Sequence, residues 1–289
     1  MSARPLLLIL CTSFLASCAS TPPPQTITAA PPSAPTSGMQ WLYGSAEGGA
    51  SGLQVYRMFR DFALKAAKPS KRSGVVVSAN ASPAAPTFVQ CEKKRPAVVL
   101  DVDETVLQNL GVMQVFAKDG KDFDPAVWSR WERSGAGKAA AIPGVVAALN
   151  DLRKAGITVI FNTNRSSKNP AGSEATLVAE GAGPAKHLET LFLMGDVDGL
   201  PGKDGRRTLI ASRYCIVAMA GDQMGDFWDA FNATALSVRE RRTMATTGPL
   251  SKLWGNGWFL LPNPVYGPSI KGSFDDVFAA DKTWVDPGE

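Results

Sequence analysis

Asp101 and Asp103 follow the run Val98-Val99-Leu100 in the order Asp-Val-Asp-Glu-Thr. Two carboxylates this close can divide nucleophilic and acid–base work, provided something fixes them in space. An apolar run rich in β-branched residues reads as a buried parallel strand, and parallel sheets bind ligands at the carboxyl ends of their strands. Other stretches bring further chemistry to the ends of apolar segments. Phe161-Asn162-Thr163-Asn164-Arg165 offers a hydroxyl, amides and a guanidinium, Lys203 heads a helical segment, and Gly221-Asp222-Gln223-Met224-Gly225-Asp226 adds two carboxylates. At aligned strand ends, Asp101, Asp103, Asp222 and Asp226 would crowd one cleft, and their repulsion calls for a cation. Oxygen ligands without a nearby Cys or His favour magnesium over zinc or iron. An EF-hand reading of Asp101, Asp103 and Thr105 fails at Val106, where the calcium loop needs Gly for its turn.

The elements that must position these residues are legible as alternating periodicities. Leu53, Tyr56, Phe59, Phe62, Ala63 and Ala66 recur at helical spacing, so residues 51–67 read as an amphipathic helix. Residues 68–86 are broken by Pro, Ser and Gly and read as irregular. Beyond them, strands are expected at 97–101, 157–161, 190–194, 215–220 and 258–261, with helices at 143–154, 173–180, 203–213 and 224–238. That alternation predicts an α/β fold, a three-layer α/β/α Rossmann-like parallel sheet with right-handed crossovers. Nearly forty residues separate the first strand from its returning helix, far more than a loop requires. The insertion, about 106–141, contains Phe116, Phe123, Trp128 and Trp131, enough apolar surface for a small helical cap. Those rings either hold the cap together or stack on a substrate, with Trp128 and Trp131 the first to test.

The N-terminus carries Arg4, an apolar stretch over 6–15 and then Ala16-Ser17-Cys18. This has the parts of an export signal and is too short to span a bilayer. Leu15-Ala16-Ser17-Cys18 resembles the lipobox of bacterial lipoproteins, which implies a signal over 1–17 and a lipid on Cys18. Ala19 in place of Asp favours the outer membrane. Residues 18–39, rich in Pro, Thr, Ser and Ala, read as a tether ahead of a globular region over 40–289. A formal net charge of +4, without a basic block, gives no reason to expect a nucleic-acid polymer as partner. Cys91 and Cys215 could pair in an exported protein, or Cys215 could be a small buried hydrophobe. His187, the sole histidine, reads as a surface residue.

Taken in order, these motifs resemble those of the haloacid dehalogenase superfamily. Leu100 to Asn109, Thr163-Asn164-Arg165, Lys203 with Arg206, Gly221-Asp222 with Asp226-Phe227, and Leu261-Pro262-Asn263 with Tyr266-Gly267 resemble the class C bacterial acid phosphatases, the lipoprotein e group. The resemblance implies a magnesium-dependent phosphomonoesterase. Asp101 would be the nucleophile, forming an aspartyl-phosphate, and Asp103 the proton carrier. Asp101, the Asp103 backbone carbonyl and Asp222 would hold the metal. Thr163 and Lys203 would hold phosphoryl oxygens, with Asp226 orienting Lys203 or a metal-bound water. It also implies nucleoside 5′-monophosphates as substrates, with Asn164, Arg165, Trp128 and Trp131 on the binding side, and a homodimer. A phosphomutase of the same superfamily and a haem- or ligand-binding lipoprotein are the rival readings. The sequence departs from the pattern at Gly48-Gly49 and at Gln223-Met224-Gly225, and a glycine-rich stretch before Lys203 leaves Lys186 as its alternative.

Overall fold

The computed structural model describes residues 34–120 and 123–288. Cys18 and the expected signal and lipid site therefore lie outside the described residues. Five strands, β1 (Pro96–Leu100), β2 (Thr158–Ser166), β3 (Leu191–Met194), β4 (Cys215–Gly221) and β5 (Trp258–Leu260), form one sheet in the order β3-β2-β1-β4-β5. Every neighbouring pair is parallel. The acid-bearing strand β1 is thus central, between the strand that carries Thr163 and the strand that leads into Asp222. The chain leaves β1 toward β2 on one side and returns to it with β4 on the other, so β1 sits where a doubly wound sheet opens a ligand crevice.

Seven α-helices of nine residues or more are found among the described residues. They are α1 (Ala46–Ala66), α2 (Leu110–Asp119), α3 (Pro125–Ser134), α4 (Val145–Lys154), α5 (Pro170–Ala179), α6 (Asp204–Arg213) and α7 (Val238–Thr246). The two-residue period of β1 divides the core. Val98 and Leu100 join Tyr56 and Phe59 of α1, Leu149 and Leu152 of α4, and Leu177 of α5 on one face. Ala97 and Val99 join Ile210 of α6 with Phe227, Phe231 and Trp258 on the other. Both faces are covered, which explains why the strand lacks polar residues until its last turn.

Helix α1 begins at Ser45, whose hydroxyl accepts from Gly48 N at 2.9 Å. A Cβ at Gly48 would lie 2.5 Å from the carbonyl oxygen of Trp41, so the glycine is needed where the preceding helical turn folds back. This gives one of the two departures at Gly48-Gly49 a physical reason; Gly49 meets nothing within 4 Å.

The insertion is closed at its base by a two-residue antiparallel pairing of Leu107–Gln108 with Ala140–Ala141, and α2 and α3 rise from it. Val112, Met113, Phe116 and Trp131 form its own small core. Glu132 docks it to the sheet, accepting from Ser166 N at 3.0 Å and from Asn169 Nδ2 at 2.7 Å. A Cβ at Gly172 would lie 2.1 Å from the Glu132 carbonyl oxygen, so α5 approaches the cap as closely as a glycine allows.

The helix expected over 224–238 is corrected by the structure. Residues Met224–Asp226 and Asp229–Asn232 form separate 3₁₀ turns, and the helix starts only at Val238. Asp226 closes a capping box with Gln223 over the first of these turns, and Asp229 accepts from Lys203 N and Asp204 N, a long-range tie that holds the second against the start of α6. Ser237 and Glu240 form a capping box, a start signal present in the sequence.

Of the two readings left open for Cys91 and Cys215, the structure has the disulfide, which joins the segment before β1 to the first residue of β4. Peptide mapping without reductant should recover both cysteines in one linked fragment. Replacing both by Ala should lower the unfolding free energy by about 2–5 kcal/mol, measured by urea titration; two free thiols in the unreduced protein would contradict the bridge.

Candidate active site

Asp101 is the first residue beyond β1, its N–H held by the carbonyl of Ala220 at 3.0 Å, so the edge of β4 fixes where its side chain starts. Its carboxylate is buried with those of Asp222 and Asp226, and one oxygen from each lies within 4.8 Å of the others. Lys203 reaches this cluster from the residue preceding α6. Its Nζ donates to Asp101 Oδ1 and, at 2.6 Å, to Asp226 Oδ1. Of the two lysines that the glycine-rich approach left open, Lys203 is the one that reaches the acids, while Lys186 pairs with Glu189 at the surface.

Three carboxylates and one ammonium share this buried space. Burial pushes Asp101 well above the usual carboxylate range, with Lys203 pulling the other way. Burial, followed by the charge of Asp226, pushes Asp222 up to about 7. Burial also works against the charge of Lys203, yet Asp101 and Asp226 outweigh it and hold its pKa above that of a free lysine. A hard divalent cation fits the remaining negative charge and the all-oxygen donor set. Thr105 cross-links the cluster, its hydroxyl 3.1 Å from Asp222 Oδ1 and 3.4 Å from Asp101 Oδ2. Asn263 Nδ2 and Gln223 Nε2 donate to the other Asp222 oxygen at 2.8 and 3.0 Å, so Asp222 cannot rotate freely. Gly221 is constrained too, since a Cβ there would lie 2.3 Å from that of Asp226.

Helix α6 organises the neighbouring loops with two more cations. Arg206 donates to Thr163 O at 2.7 Å and to Asn164 Oδ1 at 2.5 Å, which fixes the end of β2. Burial and the charge of Arg207 lower Arg206 to about 10. Arg207 donates to the carbonyls of Gly225 and Asp226 at 2.9 and 2.8 Å, fixing the loop that carries Asp226. Spacings of three and four residues place Lys203, Arg206 and Arg207 along one helical face. The Lys-x-x-Arg spacing was visible in the sequence, whereas Arg207 drew no attention there.

Asp103 stands apart from the cluster. Its Oδ1 accepts from Arg165 Nε and Nη2 at 2.9 and 2.8 Å and from Asn109 Nδ2 at 3.0 Å; its Oδ2 lies 3.4 Å from the Thr163 hydroxyl. Arg165, expected on the substrate side, is buried, with Nε and Nη2 committed to Asp103 and Asn109 and Nη1 without a partner among the described residues. Asn164 remains exposed at the end of β2.

Glu104 was given no chemical step from sequence, and the structure shows it fully buried at a left-handed φ of 52°. It accepts from Tyr43 Oη at 3.1 Å, from the Tyr266 hydroxyl and from Asn109 N at 2.9 Å. Burial, then the charge of Asp103, raises its pKa to about 7. Tyr43, Asn109 and Tyr266 are far apart in sequence, and no local pattern signals that they meet.

The cap tryptophans are unlike each other. Trp131 is buried, its ring against Gly111 and Gly135 and its Nε1 donating to Asn109 Oδ1 at 2.9 Å. This is packing, and it corrects the expectation that Trp131 stacks on a substrate. Trp128 is half-buried, holds Glu132 through Nε1 at 3.1 Å and lies 5.7 Å from the exposed ring of Phe123. His187, read as a surface residue, is partly exposed and bonded to Asp196 at 2.8 Å, remote in sequence from every acid of the cluster.

Residues 66–269 match the model of a family described as the HAD superfamily, subfamily IIIB (acid phosphatase). Among solved structures, a class C acid phosphatase from Bacillus anthracis is 26% identical, with a TM-score of 0.63 over 80% of this chain and 84% of its own. A second structure of a class C acid phosphatase from that organism, with tungstate bound, is 24% identical and gives a TM-score of 0.65, over 86% of this chain and 96% of its own.

The buried ammonium generates a stability prediction. Lys203→Met leaves the carboxylates of Asp101 and Asp226 without their partner, and urea unfolding in metal-free buffer at neutral pH should show a loss of about 3–5 kcal/mol. Unchanged stability would mean that the ammonium is not what balances the cluster.

Proposed function

The chain belongs to the acid phosphatases of HAD subfamily IIIB and is a phosphomonoesterase, and from that premise we propose that it is a magnesium-dependent enzyme that cleaves nucleoside 5′-monophosphates through an aspartyl-phosphate on Asp101. The observation that carries this reading is Lys203 Nζ held between Asp101 and Asp226 in the buried acidic cluster. A reactive carboxylate, a phosphate-binding cation and the makings of a metal site share one crevice.

Asp101 attacks the phosphorus while the ester P–O bond breaks, and Asp103 gives its proton to the departing alcohol. In the second half Asp103 takes a proton from water as that water attacks the phosphorus. The bond to Asp101 breaks, inorganic phosphate leaves and both carboxyl groups return to their starting states. Lys203 and the Thr163 hydroxyl hold phosphoryl oxygens in place through both halves. Asp226 keeps Lys203 aimed, with its second oxygen anchored by Gln223 N at 2.8 Å. Asp101, Asp222 and the Asp103 carbonyl would hold magnesium, whose charge would let an anionic carboxylate meet an anionic phosphate. The separation of the two aspartates supports their unequal roles. Asp101 sits among carboxylates and an ammonium, whereas Asp103 rests on a guanidinium and an amide.

Trp128 with Phe123 is the aromatic surface the cap leaves accessible, and it suits a nucleobase. Asn164, exposed near the end of β2, is assigned in this reading to the substrate side. The N-terminal sequence supports export and attachment to the outer membrane through Cys18, with the phosphatase held off the bilayer by the Pro-rich tether.

Two measurements test the reading. Hydrolysis of p-nitrophenyl phosphate near pH 5.5 should require added magnesium, vanish with chelator and fall at least ~10³-fold in Asp101→Asn; full activity of that variant would remove the nucleophile assignment. Trp128→Ala should raise KM for nucleotides more than for p-nitrophenyl phosphate, and equal effects on both would make the ring a packing residue.

A further inference from the structure

The two oxygens of Asp103 are treated unequally. Oδ1 receives three donors, Arg165 Nε, Arg165 Nη2 and Asn109 Nδ2, while Oδ2 meets the Thr163 hydroxyl at 3.4 Å and no other donor among the described residues. A carboxyl group whose one oxygen is saturated with N–H donors takes its proton on the other. Oδ2 is therefore the oxygen able to carry a proton, on the side facing the phosphoryl-binding hydroxyl.

The groups that saturate Oδ1 are themselves held. Asn109 Oδ1 accepts from Arg165 Nη2 and from Trp131 Nε1, each at 2.9 Å. With its oxygen so engaged, the Asn109 amide can present only its Nδ2 donors to Asp103 and Glu104. Asn109 N and Nδ2 donate to Glu104 at 2.9 and 3.3 Å. Glu104 in turn is clamped by two hydroxyls, Tyr43 from the segment before α1 and Tyr266 from the loop after β5. Each of these partners donates to Glu104, and an amide in its place would turn an N–H toward some of them. The backbone of Glu104 is left-handed, a strained conformation for a non-glycine residue. The two successive carboxylates are joined by one amide, since Asn109 Nδ2 donates both to Asp103 Oδ1 and to Glu104.

We propose that Glu104 is a positioning residue for the proton donor, acting through Asn109 and Arg165 to pin Oδ1 of Asp103 so that the proton is carried on Oδ2. The proposal rests on the assignment of Asp103 as proton carrier. During ester cleavage the Oδ2–H bond breaks as the O–H bond of the alcohol forms, and Asp103 is left ionised, paired with Arg165. Water restores the proton to Oδ2 in the second half. Glu104 contacts neither phosphate nor alcohol. Its loss should therefore matter in proportion to how much the leaving group needs a proton.

The test is kcat/KM, which reports the step that expels the alcohol, across monoesters from 2,4-dinitrophenyl phosphate to glycerol phosphate, in the full chain with magnesium. Asp103→Asn sets the scale and should lose about 10²–10⁴-fold more on the alkyl ester than on the dinitrophenyl ester. Glu104→Gln should show the same selectivity, at least ~10-fold, and add nothing further in the Asp103→Asn background. Tyr266→Phe, which removes a single hydroxyl, should shift selectivity the same way by a smaller factor. It decides the question if Glu104→Gln does not fold. Equal losses on all esters in a folded Glu104→Gln, or in Tyr266→Phe if that variant is the one folded, would overturn the positioning role while leaving Asp103 in place. Equal losses in Asp103→Asn would instead overturn the proton-carrier assignment on which it depends.

Discussion

One buried ammonium makes the rest of this site possible. Without Lys203, three carboxylates converge in low dielectric with nothing on the protein to balance them, and such groups protonate rather than remain ionised. A protonated Asp101 would be a poor nucleophile. With Lys203 in place the cluster keeps negative charge for a metal to complete, and that requirement constrains the fold outward. Lys203 must enter from the start of α6, so α6 must pack against β4. Arg206 and Arg207, on the same helix, then tie down the ends of β2 and of the loop after β4. A single helix thereby sets three strand ends relative to one another.

The aspartate pair is separated by what each one touches. Asp101 belongs to the ammonium and the other acids, Asp103 to Arg165 and Asn109. Identical residue types two positions apart thus acquire different chemistry from their surroundings, without any difference in their own structure. The cap contributes to this separation as well as to shielding, because Trp131 bonds Asn109 and Glu132 bonds the end of β2.

Much of the fold was legible because it follows from periodicity. Five apolar runs gave five strands, and the excess length after β1 marked the cap. The acids were found by their position at strand ends. What escaped was decided by tertiary contacts. The stretch after Asp226 carries helical periodicity, but Asp229 spends its carboxylate on the distant backbone of Lys203 and Asp204, and the stretch stays in 3₁₀ turns. Trp131 looked equivalent to Trp128 because both lie in the same short helix, and only the close approach of Gly111 and Gly135 distinguishes them. Arg165 has the chemistry of a phosphate ligand, and its burial against Asp103 could not be read from its own segment. The meeting of Tyr43, Glu104 and Tyr266 unites residues from opposite ends of the globular region, beyond the reach of any local pattern.

The central claim is that Asp101 becomes covalently phosphorylated. Acid-quenching the enzyme on a millisecond scale with a nucleoside 5′-monophosphate, followed by peptide mass spectrometry, tests it most directly. The account predicts a hydroxylamine-labile phosphoryl group on the peptide containing Asp101, absent from Asp101→Asn. A phosphoryl group on another residue, or its persistence in Asp101→Asn, would contradict it.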